Sequence, residues 1–428
     1  MYSPLQLRCA FVVGKASTII SMPFFSNTAI YRLSHKCNGA ARVFQRAWRF
    51  AKLPFGVDRF FPSLPQGWSV SFGFWIRFCV DEPYVPPSIP NEQGYGGHYR
   101  ELDHSKNEVR LIVLEPGQPS NRIVFSAIHV QLSEETDYEA LSYCWGSSDD
   151  SMSCIWDGVE LRIPPNLHSG LQQLRLPDRP RRLWVDALSI DQSNLHERSH
   201  QVQMMSNIYR YATSVLIWLG VEDEAGTAVD GMEGLRFFVN PGAEPTSAPW
   251  YNDTPERTSK GMRYVLGAQW WKRIWTVQEA ALARDVQLFC GPHTVRWKTD
   301  IDTLRRIKFI IKFAATSPQW EKSIFHDVNL NPLIEVIEMQ MREREEETGV
   351  RYEKDILDVR YDLRHRQSVD PRDKLFAFLS LAESRRMDWG GIVNYNHTSE
   401  RVHANFARIL QQLYPGGDVP LEWGQGFL

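Results

Sequence analysis

The sequence predicts an α/β domain built on a central parallel sheet, followed by a mostly helical C-terminal region. Three observations carry that prediction. The stretch Leu183–Gly220 reads as a strand, a capped helix and a second strand, and two strands joined by one helix lie parallel with a right-handed crossover. Tyr138–Gly146 and Val286–Cys290 are further short apolar runs, each closed by a glycine. Beyond Pro292 the apolar spacing changes to helical.

Composition bounds the rest. The 428 residues are long enough for two or three domains. Apolar residues make up 43% and charged residues 23%, with 48 basic against 51 acidic side chains, so no charge excess points to nucleic acid. No run approaches the roughly 20 apolar residues of a membrane-spanning helix. Cys9, Cys37, Cys79, Cys144, Cys154 and Cys290 are scattered, with no CxxC and no histidine at metal-ligand spacing, which fits a reduced intracellular setting and no metal. The 15 tryptophans are many for this length, and bulky packing at fixed points is their simplest use.

In chain order, residues 1–95 read as a basic, poorly ordered extension with no acidic residue before Asp58. Within it, Ala41–Leu53 places Arg42, Arg46 and Arg49 on one helical face and Phe44, Trp48 and Ala51 on another, the pattern of presequences and membrane-surface anchors. Asp81–Gly97 is a linker rich in proline and glycine. Val109–Leu114 and Ile123–Val130 are predicted strands, and Ile155–Ile163 is a hairpin turning at Asp157-Gly158. Pro165–Leu174 is a helix with Leu167 and Leu171 inward. Leu183–Ile190 is a strand, and Asn194 with Glu197 forms a capping box. The helix it starts carries the stripe Val202, Met205, Tyr209 and Ala212 and leads to the strand Val215–Leu219. One helix around Val229–Leu235 and a loop over Pro241–Pro255 follow. Helices are expected over about Trp270–Arg284, Pro332–Glu347, from Pro371 through Phe376, Leu379 and Ala382, and over Ser399–Leu413. The run REREEE at 342–347 reads as a solvated helix face.

Ligands of parallel sheets bind at the carboxyl ends of the strands, and Asp186 and Asp191 fall there. Ser142, Tyr143, Trp145 and Gly146 end a strand beside a polar loop and could line a nucleotide pocket. The Trp270–Arg284 helix stacks Trp271, Trp275, Glu279 and Leu282 on one face, so a carboxylate is expected on an apolar stripe. Burial raises such a carboxyl unless a cation such as Arg273 or Lys272 compensates. Each residue also has a purely structural use. Glu279 could be fixed by a salt bridge or a backbone amide, Asp186 could pair with Arg181 or Arg182, and Glu197 and Arg198 could serve as cap and surface. No Walker loop, GxGxxG, Ser-His-Asp order or metal cluster occurs.

Three blocks, YEALSYCWG at 138–146, LWVDALSIDQ with its helix at 183–220 and RIWTVQE at 273–279, together resemble the fungal heterokaryon incompatibility (HET) domain. That family shows YxALSYxWG, LWIDALCINQxxxxER and RxWxxQE in the same order. DPRDKLFAFLSLA at 370–382 resembles a later block of the family. Departures are Ser189 for cysteine, Asp191 for asparagine, Ser380 for glycine and Asn394-Tyr395 for Asp-Tyr. The resemblance places the HET domain at 109–291 and a helical region at 292–428. It implies non-self recognition between fungal hyphae, a trigger of programmed cell death, self-association, incompatibility-partner proteins and a cytoplasmic location. The basic N-terminal segment is the one stretch with a membrane-contact pattern.

The HET family is in turn remotely similar to TIR domains, with their flavodoxin-like parallel sheet. Some TIR domains cleave NAD with a glutamate four residues after a tryptophan, the spacing of Trp275 and Glu279 here. No cofactor is expected, and NAD enters only as a substrate. In that reaction a positioned carboxylate stabilises the oxocarbenium-like state formed when nicotinamide leaves. The resemblance makes Glu279 the catalytic candidate, with Ser142, Tyr143, Trp145, Gly146, Asp186, Asp191, Arg273 and Trp275 around it.

Overall fold

The structure is a computed structural model. It describes residues 9–12, 19–22, 30–31 and 99–413, except 147–149, 224, 241, 245–246, 249–250, 252–253, 317–319, 321–322, 348–358, 360–361, 380 and 382–390. The basic segment Ala41–Leu53, the linker at 81–97, Ser380 and Ala382 therefore lie outside the described residues. The chain divides into two compact units, residues 1–82 with 410–428, and residues 83–409. In the first unit, strand β1 (Cys9–Val12) pairs with β2 (Ile19–Met22) antiparallel and with β3 (Ile30–Tyr31) parallel.

The second unit holds a nine-stranded sheet. Its strands are β4 (Glu108–Leu114), β5 (Val124–Gln131), β6 (Glu139–Tyr143), β7 (Met152–Trp156), β8 (Val159–Ile163), β9 (Arg181–Trp184), β10 (Val215–Trp218), β11 (Asp285–Cys290) and β12 (His293–Lys298). They lie in the order β12-β11-β10-β6-β9-β4-β5-β7-β8. The centre, β11-β10-β6-β9, is parallel, with Val215 opposite both Val286 and Ala140, and Leu183 opposite Glu139. Both flanks turn antiparallel, at β12 and at β4. The expected α/β class with a parallel centre is therefore present, inside a mixed sheet. A parallel strand covered on both faces is apolar throughout, and all four residues of β10 are buried. The strands flanking the Asn194 helix are parallel as expected, but they are not neighbours, because β6 lies between them.

The helices are α1 (Pro165–Leu174), α2 (Asp186–Ser189), α3 (Leu195–Tyr211), α4 (Thr227–Val239), α5 (Pro255–Leu266), α6 (Trp275–Ala281), α7 (Ile301–Ala315), α8 (Asn331–Glu347), α9 (Asp373–Leu379) and α10 (Ser399–Leu413). Leu167, Leu171, Leu183, Leu188 and Leu216 join one core cluster with Phe125, Trp156 and Trp218. The β7–β8 hairpin turns at Asp157 (φ 48°) and Gly158 (φ 83°), the two left-handed positions that a tight hairpin turn requires.

Several expectations change. The strand over Leu183–Ile190 stops at Trp184, and α2 takes its second half. Asn194 does cap α3, accepting from His196 N and Glu197 N at 3.1 Å. Glu197, however, does not return to the cap, and it is not at the surface. It is 2% exposed and pairs at 2.9 Å with Arg110 of β4, itself 0% exposed. Arg110 also donates to Ser189 O at 2.7 Å, and Glu197 accepts from Asp191 N at 2.8 Å. The buried pair thus holds the whole 185–191 turn against the sheet. Truncating one partner of such a pair costs about 3–5 kcal/mol, because the other charge is left stranded. Arg198 lies over the Tyr395 ring at 3.7 Å rather than in solvent.

The part of the charged run in α8 whose side chains are described, Arg342–Glu345, is not a solvated face either. Arg342 and Glu343 are buried, Glu343 pairs with Arg210 at 3.3 Å, and Arg344 donates to Ala283 O at 2.5 Å and Thr299 O at 3.1 Å. The single helix expected over Trp270–Arg284 is broken. Gln269–Lys272 form a 3-10 turn, Arg273 is extended (φ −76°, ψ 143°), and α6 starts at Trp275. The break arises because Ile274 N donates to Gln367 O at 2.8 Å and Gln367 N to Lys272 O at 2.6 Å, a strand-like pairing incompatible with helix.

Helix α5 and strand β12 left little trace in the sequence pattern. Helices α4 and α5 approach closely at a pair of glycines. A Cβ on Gly231 would lie 2.2 Å from Gly261 O, and one on Gly261 would lie 2.3 Å from Gly231 N. Gly261→Ala is expected to lower unfolding stability by about 1–3 kcal/mol in urea titration, the usual cost of overpacking. Gly242→Ala, whose Cβ finds its nearest neighbour at 3.5 Å, should be close to neutral. An unchanged midpoint for Gly261→Ala would contradict the close helix contact.

Candidate functional site

The parallel centre of the sheet brings β6 and β9 side by side, so their carboxyl ends share one edge. At the end of β6 the Ser142 hydroxyl donates to Glu279 Oε2 and accepts from Trp270 Nε1 at 2.7 Å. Glu279 is 3% exposed. Just past the end of β9, Asp186 opens α2 and accepts from Ala187 N and from Trp145 Nε1, both at 2.7 Å. The Tyr143 hydroxyl also bears on Asp186. From the bend before α6, Arg273 reaches across and donates to the Tyr143 carbonyl. Two carboxyls, one guanidinium, a serine hydroxyl and two indoles therefore converge at one edge of the parallel centre.

The electrostatics follow from burial. Desolvation pushes Glu279 up to about 7 from 4.5, with Asp186 adding in the same direction, while Arg273 and the Ser142 hydroxyl pull it down. Asp186 is also raised, first by burial, and Arg273 and the Trp145 indole oppose this. Its side chain is partly exposed, yet the protein atoms crowded around it displace enough water to disfavour the charge. Burial alone would lower Arg273, but Glu279, Cys144 and Asp186 outweigh it and leave the guanidinium above its ordinary value. Burial raises the Cys144 thiol, with Arg273 opposing. Among the described residues Arg273 makes no direct ion pair with either carboxyl, and Glu279 is neither locked in a salt bridge nor bonded to a backbone amide. Its hydrogen-bond partner among them is Ser142.

Of the sequence-derived candidates, Glu279, Ser142, Tyr143, Trp145, Asp186 and Arg273 come together. Gly146 is exposed at the rim, with φ 74°. Asp191 stays apart, its carboxylate capping Ser193 N at 3.0 Å. Trp275 bears on Asp373 instead. Asp186 does not pair with the strand arginines. Arg181 holds Glu139 in a two-pronged contact at 2.5 and 2.8 Å, and Arg182 faces Asp137 at 3.7 Å. Trp270 and Tyr209 were missed. Tyr209 donates to Leu141 O at 3.2 Å and lies within the electrostatic reach of Glu279 and Asp186. Its place on the α3 stripe marked it as core, and Trp270 was obscured by the assumption of an unbroken helix. Among the described residues no group of histidine, cysteine or carboxylate side chains is arranged to hold a metal.

The raised carboxyl fixes the sign of one pH effect. A group whose folded value lies above its unfolded value contributes stability that is complete below pH 4.5 and lost as pH rises through about 7. The shift corresponds to about 3 kcal/mol at most. Glu279→Gln keeps an acceptor for Ser142 and removes the titration. In urea titrations from pH 4 to pH 8 the variant should lose less stability than the parent and be the more stable of the two at pH 8. Parallel curves across that range would contradict the raised carboxyl.

Comparison with known proteins bears on the same residues. Residues 138–279 match the family model described as Heterokaryon incompatibility protein (HET). The chain is 28% identical over 238 residues to Heterokaryon incompatibility protein 6, OR allele, of Neurospora crassa, an alignment covering 46% of this chain. It spans only 35% of that relative's length. No solved structure matches with significance. The family match opens at Tyr138, the residue before β6, and closes on Glu279, so its limits enclose Ser142, Asp186 and Arg273. Over residues 138–279 the chain is therefore similar to the heterokaryon incompatibility (HET) domain.

Proposed function

We propose that this protein is an effector of heterokaryon incompatibility, acting in the cytoplasm of fused fungal cells, where its HET domain triggers programmed cell death through self-association. The observation that carries this reading is the coincidence of the family match, 138–279, with the strands and helix that assemble the site. The name of the Neurospora crassa relative supports the same role. Among the described residues no helix is long and apolar enough to cross a membrane, so the signal is read as passing through protein contacts. Induced expression in fungal hyphae should give dye-permeable, dying compartments, and Glu279→Ala at equal protein level should reduce their number at least about tenfold, the scale of losing a positioned group. Normal growth at high parent-protein level would overturn the role.

A second reading assigns the site an NAD glycohydrolase activity, and the specific observation behind it is Glu279, a carboxyl raised to about 7 in a water-poor setting beside Asp186. Perturbed carboxyls in enclosed sites are enriched among catalytic groups. In the reaction the bond from the nicotinamide nitrogen to the ribose carbon breaks and its electron pair leaves with neutral nicotinamide. Ionised Glu279 steadies the positive charge that develops on the sugar, and water then adds to that carbon and releases a proton. Trp270 and Ser142 hold the carboxylate, and Arg273 with Asp186 sets its charge. Nicotinamide release by the purified full chain should rise with pH through about 7 and fall by about a hundredfold or more in Glu279→Gln. No release from any assembled form would overturn the enzyme reading while leaving the incompatibility role in place.

A further inference from the structure

Glu279 is carried by α6, a helix of 7 residues without a side-chain cap at its start. So short a helix does not hold itself in water. It is gripped instead at both ends by residues that follow the family match in the chain. At its start, Gln367 pairs with the backbone of Lys272 and Ile274 at 2.6 and 2.8 Å, and the Arg366 guanidinium donates to Trp271 O. One turn before Glu279, the Trp275 side chain bears on Asp373, which accepts from the Tyr395 hydroxyl at 2.6 Å. Asp373 and Tyr395 are both buried. At its end, Gln340 Nε2 donates to Ala280 O at 2.9 Å, and Arg344 Nη2 to Ala283 O at 2.5 Å.

We propose that Gln340, Arg344, Arg366, Gln367, Asp373 and Tyr395 form an intramolecular clamp that keeps Glu279 closed to solvent, so that release of the clamp opens the HET-domain site. These are positioning residues, since none of them touches the Glu279 carboxyl. The same grip creates the bend that aims Arg273 at the site. The 3-10 turn and α6 would otherwise run on as one helix, as their sequence pattern favours. The clamp rests on reading Glu279 as the working carboxyl, but its test does not require any activity.

The test labels carboxyls of the full chain with a carbodiimide and an amine nucleophile and reads each site by peptide mass spectrometry. In the parent, Glu279 and the equally enclosed Glu197 should both stay unlabelled. Asp373→Ala and Arg344→Ala should each raise Glu279 labelling about tenfold, the scale of losing one buried hydrogen bond that opposes local opening. Glu197 should remain protected in both. Asp373→Asn, which keeps an acceptor for Tyr395, should restore parental protection. Unchanged protection of Glu279 in both alanine variants would overturn the clamp. So would labelling of Glu197 together with Glu279, which signals general loosening. Labelling that follows the expected pattern without cell death or nicotinamide release would count against the functional reading and leave the clamp standing.

Discussion

The constraint on which the rest of this structure depends is the burial of one ionisable group, the Glu279 carboxyl, at the edge of a parallel sheet. A charge taken out of water costs several kcal/mol unless partners replace the solvent. Here the replacement is partial. Trp270 donates to Ser142, Ser142 donates to Glu279, and Arg273 contributes through space without touching it. The carboxyl is therefore pushed up from its ordinary range to about 7. Each of these partners comes from a different element. The position of Glu279 consequently depends on the parallel pairing of β6 with β9, on the bend before α6 and on the helices packed behind it.

The chain buries a second carboxyl and resolves it in the opposite way. Glu197 meets Arg110 directly at 2.9 Å, and the backbone of Ser189 and Asp191 bonds to the same pair. A buried pair in direct contact specifies geometry. It fixes the turn from which Asp186 projects. The contrast between the two carboxyls separates support from site: the one paired directly with an arginine frames the edge, and the one held by a serine hydroxyl occupies it.

Much of this was legible in the sequence, and the failures have physical causes. The apolar runs at 138–146 and 215–219 and the stripe on α3 fixed the parallel centre, because strands covered on both faces must be apolar throughout. Glu279, Ser142, Asp186 and Arg273 could be named because strand ends and one helical face predict where side chains meet. Trp275 was misplaced because Gln367 interrupts the helix before it, a contact about ninety residues away that no local spacing reports. The helix expected around Val229–Leu235 is α4, whereas α5 was missed; where the two helices meet closest, the contact is made by backbone at Gly231 and Gly261, which periodicity does not report. The run REREEE looked solvated because charge usually is. Its partners, Arg210 and the carbonyls of Ala283 and Thr299, come from other parts of the chain.

The family match ends at Glu279, yet the residues that hold Glu279 in place extend to Tyr395. The matched region is thus completed by the helices that follow it, and its central carboxyl takes its character from both. The most direct measurement of that character is a carboxyl carbon NMR titration of glutamate-labelled full-length protein beside its Glu279→Gln variant. The expected result is one glutamate resonance titrating near 7 that disappears in the variant. Titration of that same resonance near the ordinary 4.5 would contradict a water-poor site built around Glu279.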